Sequence, residues 1–129
     1  MTIDERLRSE RNVWLATTRP DGRPHLTPIW FVFVDGRFWI GTGRDNVKTR
    51  NVGSNARVSA SLEDGNAPVV AECVVTVHES DRPADVVAAF ASKYDWDIRV
   101  PDDPDVGTVA LWEVEPVKWL FGRPESVDS

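Results

Sequence analysis

Residues 19–42 read RPDGRPHLTPIWFVFVDGRFWIGT. Two Asp-Gly pairs, Asp21-Gly22 and Asp35-Gly36, punctuate runs rich in β-branched and aromatic residues. Asp-Gly marks tight hairpin turns because glycine accepts the positive φ that such turns require. Together with the β-forming run Asn12–Thr17, the stretch predicts three antiparallel strands in up-and-down order, closing with Arg37–Thr42. Pro28 falls inside the second of them, His25–Val34. Proline has no N–H for the ladder, so that strand must lie at an edge, bulge, or face a ligand at that point.

Working outward, Thr2 followed by Glu5 is a capping-box pattern and predicts an N-terminal helix ending near residue 10. Downstream, Ala56–Glu63 alternates apolar and polar residues as a half-buried strand does, and a third pair, Asp64-Gly65, turns it into a long strand over Val69–Glu79. Ser80-Asp81-Arg82-Pro83 offers a cap with proline in the first turn, and Ala84, Val87, Phe90, Ala91 and Tyr94 recur at helical spacing, giving the main helix over 82–95. An acidic loop, Val100–Asp105, precedes two final strands, Thr108–Val114 and Val117–Phe121, parted by Pro116. The expected class is mainly β: a small barrel of six to seven antiparallel strands with two to three short flanking helices, as one domain over 1–129.

Composition narrows the function. With 15 Lys and Arg against 21 Asp and Glu, the chain carries a formal net charge of -6, which argues against general nucleic-acid binding. No apolar run approaches the ~20 residues that span a bilayer. The opening MTIDERLRSERN carries charges where a signal peptide needs an apolar core, so a cytoplasmic setting and no membrane partner are expected. Cys73 is the single cysteine and reads as a buried small hydrophobe. His25 and His78 are the two histidines, with no carboxylate cluster framing them, and no metal site is expected.

Against that acidic background, residues 42–51 read TGRDNVKTRN, where Arg44, Lys48 and Arg50 face a single acid, Asp45. Asp45 or Asn46 can cap a short helix from Val47 to about Val52, with Asp45 the preferred cap. A helix N-terminus beside a Thr hydroxyl and cations suits an anion such as a phosphate. Taken alone, the spacing fits equally a solvated helix face.

From Asn12 to Gly122 the sequence resembles the pyridoxamine-5′-phosphate-oxidase-like split β-barrel superfamily. Within it, the chain is similar to the small flavin/deazaflavin oxidoreductases that use coenzyme F420. The RPDGRPHLTPIWF and TGRDNVKTRN stretches, in that order, carry the resemblance, with LWEVEPVKWLFG behind them. It implies a homodimer with cofactor grooves at the subunit interface. The strand matching Thr27, Pro28, Ile29 and Trp30 would lie along a flavin-like ring, and Thr42, Lys48 and Asn51 would lie by the cofactor's phosphate. Where many relatives carry an Arg two residues before that Lys, this chain has Asn46, which leaves Arg50 or Arg44 to supply a second cation. The chain lacks the longer C-terminal portion that helps true pyridoxamine phosphate oxidases bind substrate, so vitamin B6 oxidation is not expected.

Among the six tryptophans, Trp30 is expected in the pocket, Trp14 and Trp39 in the core, and Trp112 and Trp119 within reach of a partner's site. His25 is read as an exposed structural or cofactor-contacting residue rather than a proton donor, and His78 receives no role. No catalytic constellation is present, which suits an enzyme whose cofactor supplies the chemistry. The leading expectation is a coenzyme F420-dependent oxidoreductase passing hydride to a small organic acceptor. FMN is the alternative cofactor, and a non-catalytic flavin or deazaflavin carrier the alternative role.

Overall fold

The computed structural model describes residues 1–126; residues 127–129 of the expected domain lie outside that range. In chain order the elements are α1 (Ile3–Ser9), β1 (Asn12–Thr18), β2 (Pro24–Trp30), β3 (Val32–Val34), β4 (Arg37–Gly43), α2 (Val47–Ser54), β5 (Arg57–Ser61), β6 (Val70–His78), α3 (Ala84–Tyr94), β7 (Asp102–Asp103) and β8 (Gly107–Phe121). The capping box closes as expected: Glu5 N–H donates to Thr2 Oγ1 at 3.1 Å, and Thr2 N–H to the Glu5 carboxylate at 3.3 Å.

Seven strands form one antiparallel sheet in the order β2-β1-β5-β6-β8-β4-β3, and the short β7 pairs with β8 off that path. β2 and β3 are consecutive in the chain yet occupy opposite edges of the sheet. The sheet therefore curls until its edges meet, as a split barrel, and the chain crosses between them at Phe31. This corrects the up-and-down reading, in which the run His25–Val34 is one strand. Pro28 does sit on an edge strand, opposite Trp14 of β1.

The crossing is clasped from α3. Phe31 N–H donates to the Tyr94 hydroxyl at 2.9 Å. That hydroxyl lies 2.8 Å from the Phe31 carbonyl and 2.7 Å from the Arg11 carbonyl, and its one proton serves one of them at a time. Lys93 Nζ donates to the Phe31 carbonyl at 3.0 Å and stands 3.9 Å from the centre of the Phe31 ring. Burial in this setting, with Arg11 nearby, pushes the Lys93 pKa down to about 8, and burial raises that of Tyr94.

The last two strands are one. β8 runs unbroken through Pro116, pairing with β4 on one side and β6 on the other. Cys73 pairs with Pro116 and Glu72 with Lys118, so Val117 is an extra residue and the register shifts there. A bulge accommodates the proline that was expected to divide the strand. The turns also differ in kind. Asp35 and Gly36 both take positive φ, 55° and 74°, as a tight hairpin turn requires. Gly65 does not, and β5 and β6 are joined by a wider loop that Asp64 supports by accepting from Asn66 N–H at 2.9 Å. At α3, Pro83 holds the cap position without a side-chain bond, in place of the expected Ser-Asp cap.

Inside the curl, Trp112, Phe31, Phe38, Ile40 and Leu15 are fully buried. On the outer face of the sheet α3 buries Val86, Phe90 and Tyr94 against Val32, Trp39 and Leu111. Trp112, 0% exposed, therefore cannot reach a partner's site. Trp119 packs edge-on to Phe33 at the margin of the core. Trp14, expected in the core, is 40% exposed because the sheet's alternation turns it outward between buried Val13 and Leu15. Cys73 is buried, and desolvation pushes its thiol up to about 12, as an inert core residue should show.

Tyr94→Phe keeps the ring and deletes the clasp, leaving the Phe31 N–H buried without an acceptor. The expected cost is ~1–3 kcal/mol of unfolding free energy, read from urea denaturation. A loss under a few tenths would show that the crossing is held by packing alone.

Candidate functional site

The crossing at Phe31 brings the end of β2 alongside β4 and the start of α2. Between them lies a cleft of about 530 Å³. It is lined by Pro28, Ile29 and Trp30 of β2, Gly41 and Thr42 of β4, and Lys48 of α2. The end of α3 and the segment after it add Tyr94, Asp95, Trp96, Asp103 and Asp105 to the lining. As an edge strand, β2 leaves part of its backbone without ladder partners, and those polar groups are free to meet a ligand.

α2 begins as its sequence dictates, with one correction. Asn46, not Asp45, is the cap: its side-chain oxygen accepts from Thr49 N–H at 2.9 Å, and its amide donates to Thr42 Oγ1 at 2.9 Å. Asp45 instead pairs with its exposed neighbour Arg44 at 3.4 Å. Asn46 is thus occupied in joining Thr42 to the helix start.

Lys48, on the first turn of α2, lines the cleft. It is half-buried, desolvation lowers its pKa, and it forms no ion pair among the described residues. Thr42 beside it is buried. A cation without a counter-ion, at a helix N-terminus and next to a hydroxyl, is an arrangement that an anionic group would complete.

The aromatic part of the lining is held by its own packing. Trp30 stacks on Tyr94, with ring centres 4.4 Å apart and planes inclined by 10°. The Arg11 guanidinium lies over both rings, at 5.3 and 4.8 Å. Trp96 meets Trp30 edge-on at 6.4 Å and Phe90 at 5.6 Å.

Of the eight residues singled out in the sequence, five line the cleft: Pro28, Ile29, Trp30, Thr42 and Lys48. Three do not. Asn51 is 2% exposed and donates to Thr17 Oγ1 at 3.0 Å, tying α2 to β1. Arg50 is exposed on the outer side of α2. Thr27 is not among the lining residues; its hydroxyl is buried without a partner, like His25 Nδ1 two residues earlier.

The stretch from Tyr94 to Val106, which supplies much of the lining, reads in the sequence only as the end of a helix and an acidic loop. The signal lay in β4: glycine inside a strand often marks a place where another part of the chain comes close. An added Cβ on Gly41 would stand 2.7 Å from the Trp96 ring, and one on Gly43 2.5 Å from the Val106 carbonyl oxygen. His78, for which no role is expected, has its Nε2 2.9 Å from Glu113 Oε1 in a separate, smaller cleft beside Trp39.

No group of three or more His, Cys, Asp or Glu among the described residues is placed to hold a metal ion, and no helix among them is long and apolar enough to cross a membrane. No curated protein matches the sequence. Among solved structures, an F420 reductase superposes with a TM-score of 0.68 at 20% identity, over 90% of this chain and 94% of its own. HutZ, the heme storage protein of Vibrio cholerae, superposes with a TM-score of 0.72 at 19% identity, over 93% of this chain and 94% of its own. A conserved hypothetical protein of Mycobacterium tuberculosis does so with a TM-score of 0.69 at 28% identity, over 92% and 82%. A family model described as Pyridoxamine 5′-phosphate oxidase matches residues 2–122, nearly the whole of the described chain. With the curled sheet and the cleft beneath its split edge, that match means that this chain belongs to the pyridoxamine 5′-phosphate oxidase family.

Proposed function

We propose that the chain is an oxidoreductase that holds a flavin-type cofactor in the cleft, coenzyme F420 first and FMN as the alternative, and passes hydride to a small organic acceptor. The observation that carries this reading is the half-buried Lys48, without an ion pair among the described residues, in a cleft that Thr42, Pro28, Ile29 and Trp30 also line. A phosphate at Lys48 and the start of α2 leaves a planar ring lying along the edge strand. The likeness to an F420 reductase accords with this choice.

The bound cofactor supplies hydride chemistry. The chain's own groups bind and orient it. Lys48 and the N-terminal amides of α2 take the anion, β2 lines the ring, and Trp30, Tyr94 and Trp96 exclude water from it. No side chain is assigned to covalent catalysis. A haem-carrying role, suggested by the likeness to a heme storage protein, fits the cleft less well. Haem iron is held by His, Cys, Met or Tyr. None of the first three lines the cleft, and the Tyr94 hydroxyl is taken up by backbone groups of Phe31 and Arg11.

The active form is proposed to be a homodimer. Trp14 and Leu26 lie on the outer faces of the paired strands β1 and β2, 40% and 60% exposed, and Val117 and Phe121 of β8 are 58% and 57% exposed. Apolar side chains of that size left open on several strands suit a second copy. A cytoplasmic setting accords with a single buried thiol.

Titration of the purified protein with coenzyme F420 and with FMN, followed by tryptophan fluorescence, tests the reading. Micromolar quenching by one of them names the cofactor; quenching by neither refutes the proposal. Lys48→Ala is expected to weaken the favoured ligand at least several-fold, since a charge-assisted phosphate contact is worth roughly 1.5–3 kcal/mol. Asn51→Ala separates binding from folding. It is expected to lower stability by about 1–3 kcal/mol, by leaving Thr17 without its partner, while the ligand affinity of the folded protein stays within a factor of two.

A further inference from the structure

If the cleft holds a planar cofactor, something must decide how large a ring system it admits. Two glycines of β4 bear on this. The segment from Asp95 to Val106 lies across β4 at Gly41 and Gly43, and a Cβ at either would meet it at 2.7 or 2.5 Å, closer than atoms can stand. The segment can press against the strand only because both side chains are missing. It is fastened at its far end, where Val109 N–H donates to the Pro101 carbonyl at 2.9 Å, Arg44 N–H to the Thr108 carbonyl at 2.7 Å, and Thr108 Oγ1 to Asp102 at 3.1 Å. At its near end Asp95 takes a left-handed conformation, φ 54°, which turns the chain sharply out of α3 and lays the next residue, Trp96, on Gly41.

The indole of Trp96 thus covers backbone that would otherwise be cleft floor. It is packed edge-on against Phe90, a fully buried residue, so its position is set by the core beneath α3. Its plane is inclined at 71° to that of Trp30, with centres 6.4 Å apart. A flat ligand cannot lie along both faces at once; it extends from the edge of β2 until it meets the Trp96 ring.

We propose that Trp96 is the specificity-determining residue of this cleft: seated on Gly41, it limits the site to ring systems of about isoalloxazine width and shuts out planar macrocycles. This rests on the cofactor reading of the cleft, and its test separates the two. The probes are FMN and metal-free protoporphyrin IX, which brings no iron–protein bond, each followed by the ligand's own absorbance so that removing an indole does not alter the signal. Trp96→Ala is expected to raise affinity for protoporphyrin IX at least ten-fold and to lower that for FMN several-fold, while Trp96→Phe stays near the wild-type ratio. Gly41→Ala, whose methyl group drives the indole into the cleft, is expected to lower FMN affinity at least ten-fold with no gain for the macrocycle. Equal changes for both probes in Trp96→Ala, or wild-type binding of protoporphyrin IX as tight as that of the variant, would overturn the proposal. Should Trp96→Ala not fold, as judged by its thermal melt, Gly41→Ala decides: lost FMN affinity supports the proposal and unchanged affinity contradicts it. Should wild type bind no FMN, the FMN-based expectations lapse and the macrocycle gain in Trp96→Ala alone decides between support and rejection.

Discussion

The hydroxyl of Tyr94 receives the N–H of Phe31 at 2.9 Å, at the one point where the chain passes from one edge of the sheet to the other. Much of the architecture follows from that contact. Phe31 is fully buried and flanked by strands that pair with different partners, β2 with β1 and β3 with β4. An unpaired N–H and C=O there would be costly, and residues of α3 satisfy both. The same ring then stacks on Trp30, the residue just before the crossing, and turns it toward the cleft. Closing the barrel and building an aromatic wall are thus tasks of one side chain.

The cleft carries both signs of charge, which composition hides. The chain is acidic overall, and Asp95, Asp103 and Asp105 are among the cleft's lining residues. Asp103 is committed to its own loop, accepting from the N–H groups of Asp105 and Val106. Lys48 lines the same cleft with no carboxylate paired to it among the described residues. In the proposed reading the anionic end of a ligand goes to Lys48 and its planar body to the aromatic lining, which would let a small barrel without reactive side chains impose geometry on a cofactor.

Local chemistry was legible in the sequence; pairing across the sheet was much less so. The capping box at Thr2, the hairpin at Asp35-Gly36 and the edge position, one of the three placements open to Pro28, each follow from a backbone rule that acts within a few residues. That Thr42 and Lys48 share a site was legible because they come from one run of ten residues. Within that run, spacing could not tell which side chains face the cleft: Asn51 sits one helical turn below Lys48 and is buried against Thr17, and Arg50 points to solvent. Pro116 misled because a bulge on β8 absorbs it, and bulges depend on the neighbouring strand. The Trp96 wall was hidden for the same reason, since its only local trace is two glycines some fifty residues away on β4.

Backbone chemical-shift mapping with isotopically labelled protein tests the account most directly. On adding FMN or coenzyme F420, the largest shifts are expected at Ile29, Trp30, Thr42 and Lys48, with the Trp96 indole N–H moving with them and Arg50 and Asn51 left nearly still. Shifts centred instead on Trp39, His78 and Glu113, or spread over the exposed apolar residues of β8 with Lys48 unmoved, would contradict the placement of the ligand site beneath the crossing at Phe31.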